Sequence, residues 1–357
     1  MRSADVAVST TLGVSRVGAL LLLVFCLAAP CFPQSDPALL TYFKEYVGLN
    51  EDQIASIRAG NAFAKTLPSR VPDEVFVFGA VYIHASPESY VQLSRDYQRL
   101  RSISGFVAIQ GLSDPPQLSD VRDLKFDSED LKELKNCRPG DCEIQMPGSA
   151  IEDVNRLVDW SAPNAADQVN QLLEKQLMDR LAAYKREGNA ALGTYNDKKN
   201  PTQVAEQFQY ILSYSKAFPR YLPDFYNYLQ TYPCGRPGSV EERMYWAKVK
   251  FGLKPTLRVV QVFTMGQNNP GEPAYTIAEK QLYSSHYFES ALDLTFCVRD
   301  PAGQDTTGFY LIKAMGSEQA GLTGFKGSII RKVAVDRSAT SLQKSLAAIR
   351  SALEGKP

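Results

Sequence analysis

The spacing of apolar residues changes period along this chain, and each change marks an element. From Asp36 to Ala64, Leu39, Leu40, Phe43, Tyr46 and Val47 recur at helical intervals. Asn50-Glu51-Asp52-Gln53 reads as the cap of a second short helix carrying Ile54 and Ile57. Glu74 to Ile83 is β-rich and mostly apolar, the pattern of a buried strand. Ser86 and Pro87 then supply a cap and a first helical position. Ala150 to Tyr232 predicts a helical middle. In it Val169, Leu172, Leu173, Leu177, Leu181 and Tyr184 form one helix face, and a second helix runs from Pro201 to Phe218. Strands return at Met244–Phe251 and Thr256–Thr264. Ala274–Val298 follows as two strands bent near Ser284-Ser285, then Phe309–Ala314 and Ser328–Val335. Ser338 to Leu353 closes the chain as an amphipathic helix. Antiparallel strands followed by a helix that covers one face predict an α+β fold with a helical middle segment.

The N-terminus adds a compartment. Arg2 and Arg16 flank an uncharged run, Val17 to Ala29, that ends at Pro30. This is the form of a secretory signal peptide, too short for a spanning helix of about 20 residues. The expected organisation is a signal peptide over 1–35 and a single α+β domain over 36–357. Within it, 36–149 holds N-terminal helices and strands, 150–235 the helical segment, and 240–357 the antiparallel strands and final helix. The expected location is periplasmic or extracellular, with no transmembrane span once the signal is removed. Asn200-Pro201-Thr202 is vetoed by its proline as a glycosylation acceptor, which favours a bacterial source.

Charge and cysteine content narrow the function classes. Lys plus Arg and Asp plus Glu number 39 each, and no basic face interleaved with aromatics argues for nucleic acid. The mature chain holds Cys137, Cys142, Cys234 and Cys297. In an oxidising compartment an even set suggests disulfides, and Pro139-Gly140 is a turn that can bring Cys137 and Cys142 together. With only His84 and His286 to add to the thiols, no metal site is expected, and no motif calls for a cofactor. Aromatics crowd the stretch from Phe208 to Tyr232. They read either as a ligand-facing wall or as a helical layer packed on a sheet, and the second is the commoner use.

Phe78-Gly79-Ala80-Val81-Tyr82-Ile83-His84-Ala85-Ser86-Pro87-Glu88 resembles the opening of START-like (helix-grip, polyketide-cyclase-like) domains, in which a strand passes through a small-residue cap into a helix. The strands from Met244 to Val335 and the final helix also look like that superfamily. The resemblance implies a curved antiparallel sheet around a long C-terminal helix, with a cavity for apolar ligands between them. The stretch from Ala150 to Tyr232 would be an insertion. Cys137 to Cys142, Lys280 to Phe288 and Gly321 to Ser328 resemble a group of exported bacterial proteins of unknown function, which carries no activity with it.

No nucleophile elbow, zinc-protease motif or phosphate loop occurs. Ser213 to Lys216 and Ser341 to Lys344 match Ser-x-x-Lys, a pattern too loose to count. His286 is the acid/base candidate. On a regular strand Lys280, Leu282, Ser284, His286, Phe288 and Ser290 share one face, and Tyr283, Ser285, Tyr287 and Glu289 the other. Lys280, Tyr283, His286, Tyr287 and Glu289 are therefore the candidate ligand-binding residues. The plain alternative is a histidine hydrogen-bonded at a strand bend. Gly321 to Ser328 with Arg331 and Lys332 reads as an anion nest or, more simply, a turn between strands. The leading reading is a non-catalytic exported protein that binds a small apolar or amphipathic ligand. The alternatives are an exported enzyme using His286 and an envelope interaction protein without a small ligand.

Overall fold

A computed structural model describes residues 37–103, 105–250, 254–267, 272–300, 307–319, 322 and 324–355, without the side chains of 37, 103, 324–330, 333 and 334. The signal run lies outside the described residues. Among the described residues no helix is long and apolar enough to cross a membrane.

The chain enters through α1 (Pro37–Thr41), a π-helical turn (Tyr42–Tyr46) and α2 (Glu51–Arg58). Asn50 caps α2 reciprocally with Gln53, and Ile54 and Ile57 are buried, as their spacing predicts. Where helix was expected to run to Ala64, β1 (Phe63–Leu67) begins instead and pairs with β2 (Glu74–Ile83). All ten residues of β2 are buried. Ser86 Oγ accepts from Ser89 N to cap α3 (Pro87–Arg95), and α4 (Tyr97–Ile103) leads to β3 (Phe106–Leu112). The helical middle follows as α5 (Ser128–Leu134), α6 (Gly148–Leu157) and α7 (Ala165–Glu187). A two-strand pair, β4 (Thr194–Tyr195) and β5 (Thr202–Gln203), precedes α8 (Val204–Tyr214), α9 (Phe218–Tyr221) and α10 (Pro223–Thr231). Then come the meander β6 (Val240–Lys250), β7 (Pro255–Gly266), β8 (Tyr275–Ser284), β9 (Phe288–Arg299) and β10 (Phe309–Gln319), and α11 (Gly324–Glu354).

Eight strands form one curved, open antiparallel sheet in the order β1-β2-β10-β9-β8-β7-β6-β3. The first long strand thus neighbours the last, and β1 and β3 are the edges. The pairing of β3 with β6 is interrupted by a register shift between Phe106 and Ala108. Alternation along each strand sorts side chains to two cores. On one face Val75, Val77, Val81, Val260, Val262, Ile277 and Leu311 meet Leu342, Leu346 and Ile349 of α11. Gly79 lets that helix approach: a Cβ there would lie 2.7 Å from Leu342 Cδ2 and 2.8 Å from Leu346 Cδ1. The other face carries the helical middle, where Val169, Leu173, Leu177, Leu181 and Tyr184 of α7 join Phe208, Phe218, Phe225 and Tyr228. The aromatic stretch is accordingly a packed layer. Its hydroxyls reach the rim: Tyr232 bonds Glu242 at 3.2 Å and Tyr214 bonds the Pro68 carbonyl at 2.6 Å. Beside it, Phe43 packs edge-on against Phe78 and Tyr310.

One expected strand is absent. Ser328–Val335 belongs to α11, which starts at Gly324 and runs 31 residues. No glycine or proline separates Ser328 from Ser338, so nothing halts the helix, and the β-branched residues there express only a weak preference. The Gly-rich stretch therefore leads into a helix and is no turn between strands. Gly321 and Thr323 lie outside the described residues. Arg331 is engaged, donating to Pro72 O and Ser69 Oγ at 2.7 Å each.

Candidate functional site

The residues singled out from sequence cluster around β8 and its exit, but each has its own partners. The expected regular strand is broken in two ways. A bulge opposite Val259 and Val260 places both Leu282 and Tyr283 in the helical-layer core. Beyond Ser284 the chain turns, and Tyr287 takes φ 65° before β9 begins. The two-face assignment therefore holds only up to the bulge.

His286 is 4% exposed at this turn, with both ring nitrogens against acceptors. Nδ1 lies 3.1 Å from the Glu143 carbonyl, and Nε2 lies 2.9 Å from Oδ1 of the buried Asp130. The carbonyl can only accept, so Nδ1 carries a proton. The contact to Asp130 then holds a second, shared by an imidazolium and a carboxylate or by an imidazole and a carboxylic acid. Neither nitrogen is left for a ligand. The pair ties α5 and the segment after Cys142 to the sheet. That segment is itself closed by the Cys137–Cys142 disulfide, S–S 2.06 Å. Cys234 and Cys297 are free thiols, the first exposed and the second buried. Tyr287 accepts from Lys254 N through its hydroxyl, and Glu289 accepts from Thr202 Oγ1 at 3.0 Å. The Tyr283 hydroxyl is buried without a partner.

Lys280 is fully buried on the helical-layer face. Its Nζ lies 3.0 Å from the Tyr184 hydroxyl, donates to Asn189 Oδ1, and sits 4.2 Å from the centre of the Phe208 ring. The chain continues through Tyr184 to Gln261 and on to Glu242. No carboxylate among the described residues pairs with the amine, and burial drives its pKa well below the usual lysine value of 10.5. The surrounding rings recover part of the cost of a cation there. The unfolded chain binds a proton that the native amine releases, so this group makes stability rise with pH between its depressed folded value and 10.5. The slope is about 1.4 kcal/mol per pH unit. Lys280→Met is expected to remove that slope. Urea unfolding from about pH 7 to about pH 9.5 checks it; parallel curves for the two proteins would refute it.

A second group of polar side chains, on the α11 face, was not singled out from sequence. Its signal is a charge set among apolar residues of a strand: Glu279 in β8, Asp293 in β9 and Lys313 in β10. Register places them together. Glu279 pairs across to Asp293, Lys313 to Thr295, and Ala247 of β6 to Arg258 of β7. Tyr245 donates to Glu279 at 3.0 Å, and Arg258 to Gln281 Oε1 at 3.1 Å. Tyr90 of α3 stands beside Lys313 and Thr295. Burial works against the Lys313 ammonium, but Tyr90, Glu279 and Asp293 outweigh it and hold its pKa above the ordinary range. Asp293 accepts no hydrogen bond from any described residue. Burial pushes its pKa up to about 6; Arg258 and Lys313 oppose that shift and Glu279 adds to it. All four charged residues are half-buried, so the valine-rich face under the helix carries a group of charged side chains.

No protein-family model and no curated protein matches the chain. Among solved structures, the di-domain ARO/CYC StfQ from the steffimycin biosynthetic pathway is matched over 85% of this chain and 93% of that one, at 12% identity and a TM-score of 0.23.

Proposed function

We propose that this protein is exported and binds a small amphipathic ligand between the sheet and α11. The carrying observation is Asp293, a half-buried carboxyl in an apolar face that accepts no hydrogen bond from any described residue. Buried polar groups without partners cost stability, and binding sites are where such costs persist. A ligand that offers a hydroxyl or an amine to Asp293 and lays its hydrocarbon against Val81, Val260 and Val262 satisfies both parts of the surface. Arg258, Lys313 and Tyr245 stand ready to orient the rest of its polar end. The resemblance to START-like domains implies a ligand in the same place. The Cys137–Cys142 disulfide is compatible with an oxidising compartment.

Asp293→Asn separates ligand binding from folding. A carboxyl whose folded pKa is raised from 3.8 to about 6 contributes stability below the lower value and loses it as pH rises through the upper one. The neutral amide is therefore expected to be more stable than wild type at about pH 8, by roughly 2–3 kcal/mol, and no more stable at about pH 4. The same change weakens the ligand's anchor. Wild-type protein made in an oxidising compartment should carry a co-purifying small molecule in native mass spectra, released on denaturation, and Asp293→Asn should carry less. A wild type that purifies free of any small molecule, or an asparagine variant with equal occupancy, would sink the proposal.

A further inference from the structure

The opposite face of the sheet carries a cleft. It is an apolar cleft of about 70 Å³ where the entry helices, α9 and the sheet meet. Leu39 and Tyr42 form one wall, Phe218 and Tyr221 another, and Phe296 of β9 and Ile312 of β10 the floor. Phe218 and Phe296 meet edge to face at 6.2 Å, so the floor and one wall are aromatic. Ile312 precedes Lys313 in β10, and neighbouring residues of a strand point to opposite faces. The cleft is thus separated from Asp293 by the thickness of the sheet.

One polar group in the lining is unspent. Tyr42 lines the cleft, and its hydroxyl forms no hydrogen bond with any described residue. Burial alone acts on that hydroxyl and raises its pKa above the ordinary tyrosine value. A tyrosine hydroxyl in such a setting ordinarily finds a partner. The volume admits on the order of five to seven water-sized spheres, the bulk of one six-membered ring with a short substituent.

We infer that this cleft is a second, independent binding site, for a compact aromatic or alicyclic compound bearing a carbonyl or ether oxygen that accepts from the Tyr42 hydroxyl. The ring packs among Phe218, Tyr221 and Phe296, and the oxygen relieves the unpaired donor. The charged residue in the lining is Glu272, an anion that already accepts from Gln267 Nε2, so acids of the same size bind less well.

The test uses 4′-fluoroacetophenone and 4-fluoroethylbenzene, followed by fluorine NMR on the purified protein. The ketone is expected to bind saturably with a dissociation constant on the order of a millimolar or tighter. Tyr42→Phe should weaken the ketone by roughly 3–10-fold, the worth of one neutral hydrogen bond, and leave the hydrocarbon within about twofold. Ala38→Trp at the rim and Ala217→Trp in the wall, each checked for folding by circular dichroism, should abolish both. Asp293→Asn should change neither, which keeps this inference separate from the ligand of the α11 face. Absence of saturable binding, survival of binding in a folded tryptophan variant, or equal sensitivity of the two probes to Tyr42→Phe would each overturn it.

Discussion

Asp130→Ala is expected to lower the free energy of unfolding by about 3–5 kcal/mol, the cost of stripping one partner from a buried hydrogen-bonded pair. Asp130 and His286 are 2% and 4% exposed, so water cannot take the place of the lost carboxylate. The imidazole would keep its bond to the Glu143 carbonyl and leave Nε2 facing a void. Asp130→Asn retains an acceptor of the same shape and should cost less, about 1–2 kcal/mol. Urea unfolding of the two variants measures both. If the alanine variant loses less than about 1 kcal/mol, the pair is not the anchor its burial indicates. Because both ring nitrogens are already committed, ligand occupancy on the α11 face should be unaffected in any variant that still folds. A loss of ligand in a folded Asp130→Asn protein would return His286 to the list of functional groups.

Gly188→Ala should be as damaging for a different reason. Gly188 ends α7 with φ 61° and ψ −134°, a conformation that only glycine adopts without strain. A Cβ there would lie 1.9 Å from the Tyr232 carbonyl oxygen and 2.5 Å from Pro233 Cδ. Backbone cannot swing aside as a side-chain tip can. Strain of about 1–3 kcal/mol and overpacking of similar size add to roughly 3–5 kcal/mol. The site also touches the buried lysine, since Asn189 donates its backbone N–H to the Tyr232 carbonyl and accepts from Lys280 through Oδ1. Thermal unfolding checks the loss. A control at Gly235, where φ is 75° but no atom lies within 4 Å of the added Cβ, should show the strain without the clash. Equal losses at the two positions would disprove the steric part.

Much of the architecture was legible because periodicity reports burial directly. The mostly apolar run from Glu74 to Ile83, the capping signals at Asn50 and Ser86, and the α7 stripe ending at Tyr184 all fall where their spacing puts them. The bend near Ser284-Ser285 separates β8 from β9 as expected. The start of α11 was misread because a β-branched run looks like strand when tertiary contacts are unseen. The α11-face group was hidden for another reason. Glu279, Asp293 and Lys313 are separated in sequence, and each reads alone as a solvent-facing charge on an ordinary half-buried strand. Only the pairing register joins them, and register across long loops is not written in local pattern. His286 drew attention because histidines are scarce here, and scarcity says nothing about whether a ring's nitrogens are free.

The open sheet leaves two rows of unpaired peptide groups, one on β1 and one on β3, and both edges are marked against recruiting a ninth strand. Along β3 the register shift at Phe106 to Ala108 bends the rim away from the flat geometry an incoming strand would template on. Along β1 the rim is only five residues long and carries Lys65 at its centre, whose ammonium bonds to the carbonyls of Val47 and Gly48. A foreign strand laid against β1 would have to run beside that charge. An open sheet with two regular, flat edges would template further strands, and these two small irregularities oppose pairing through its margins.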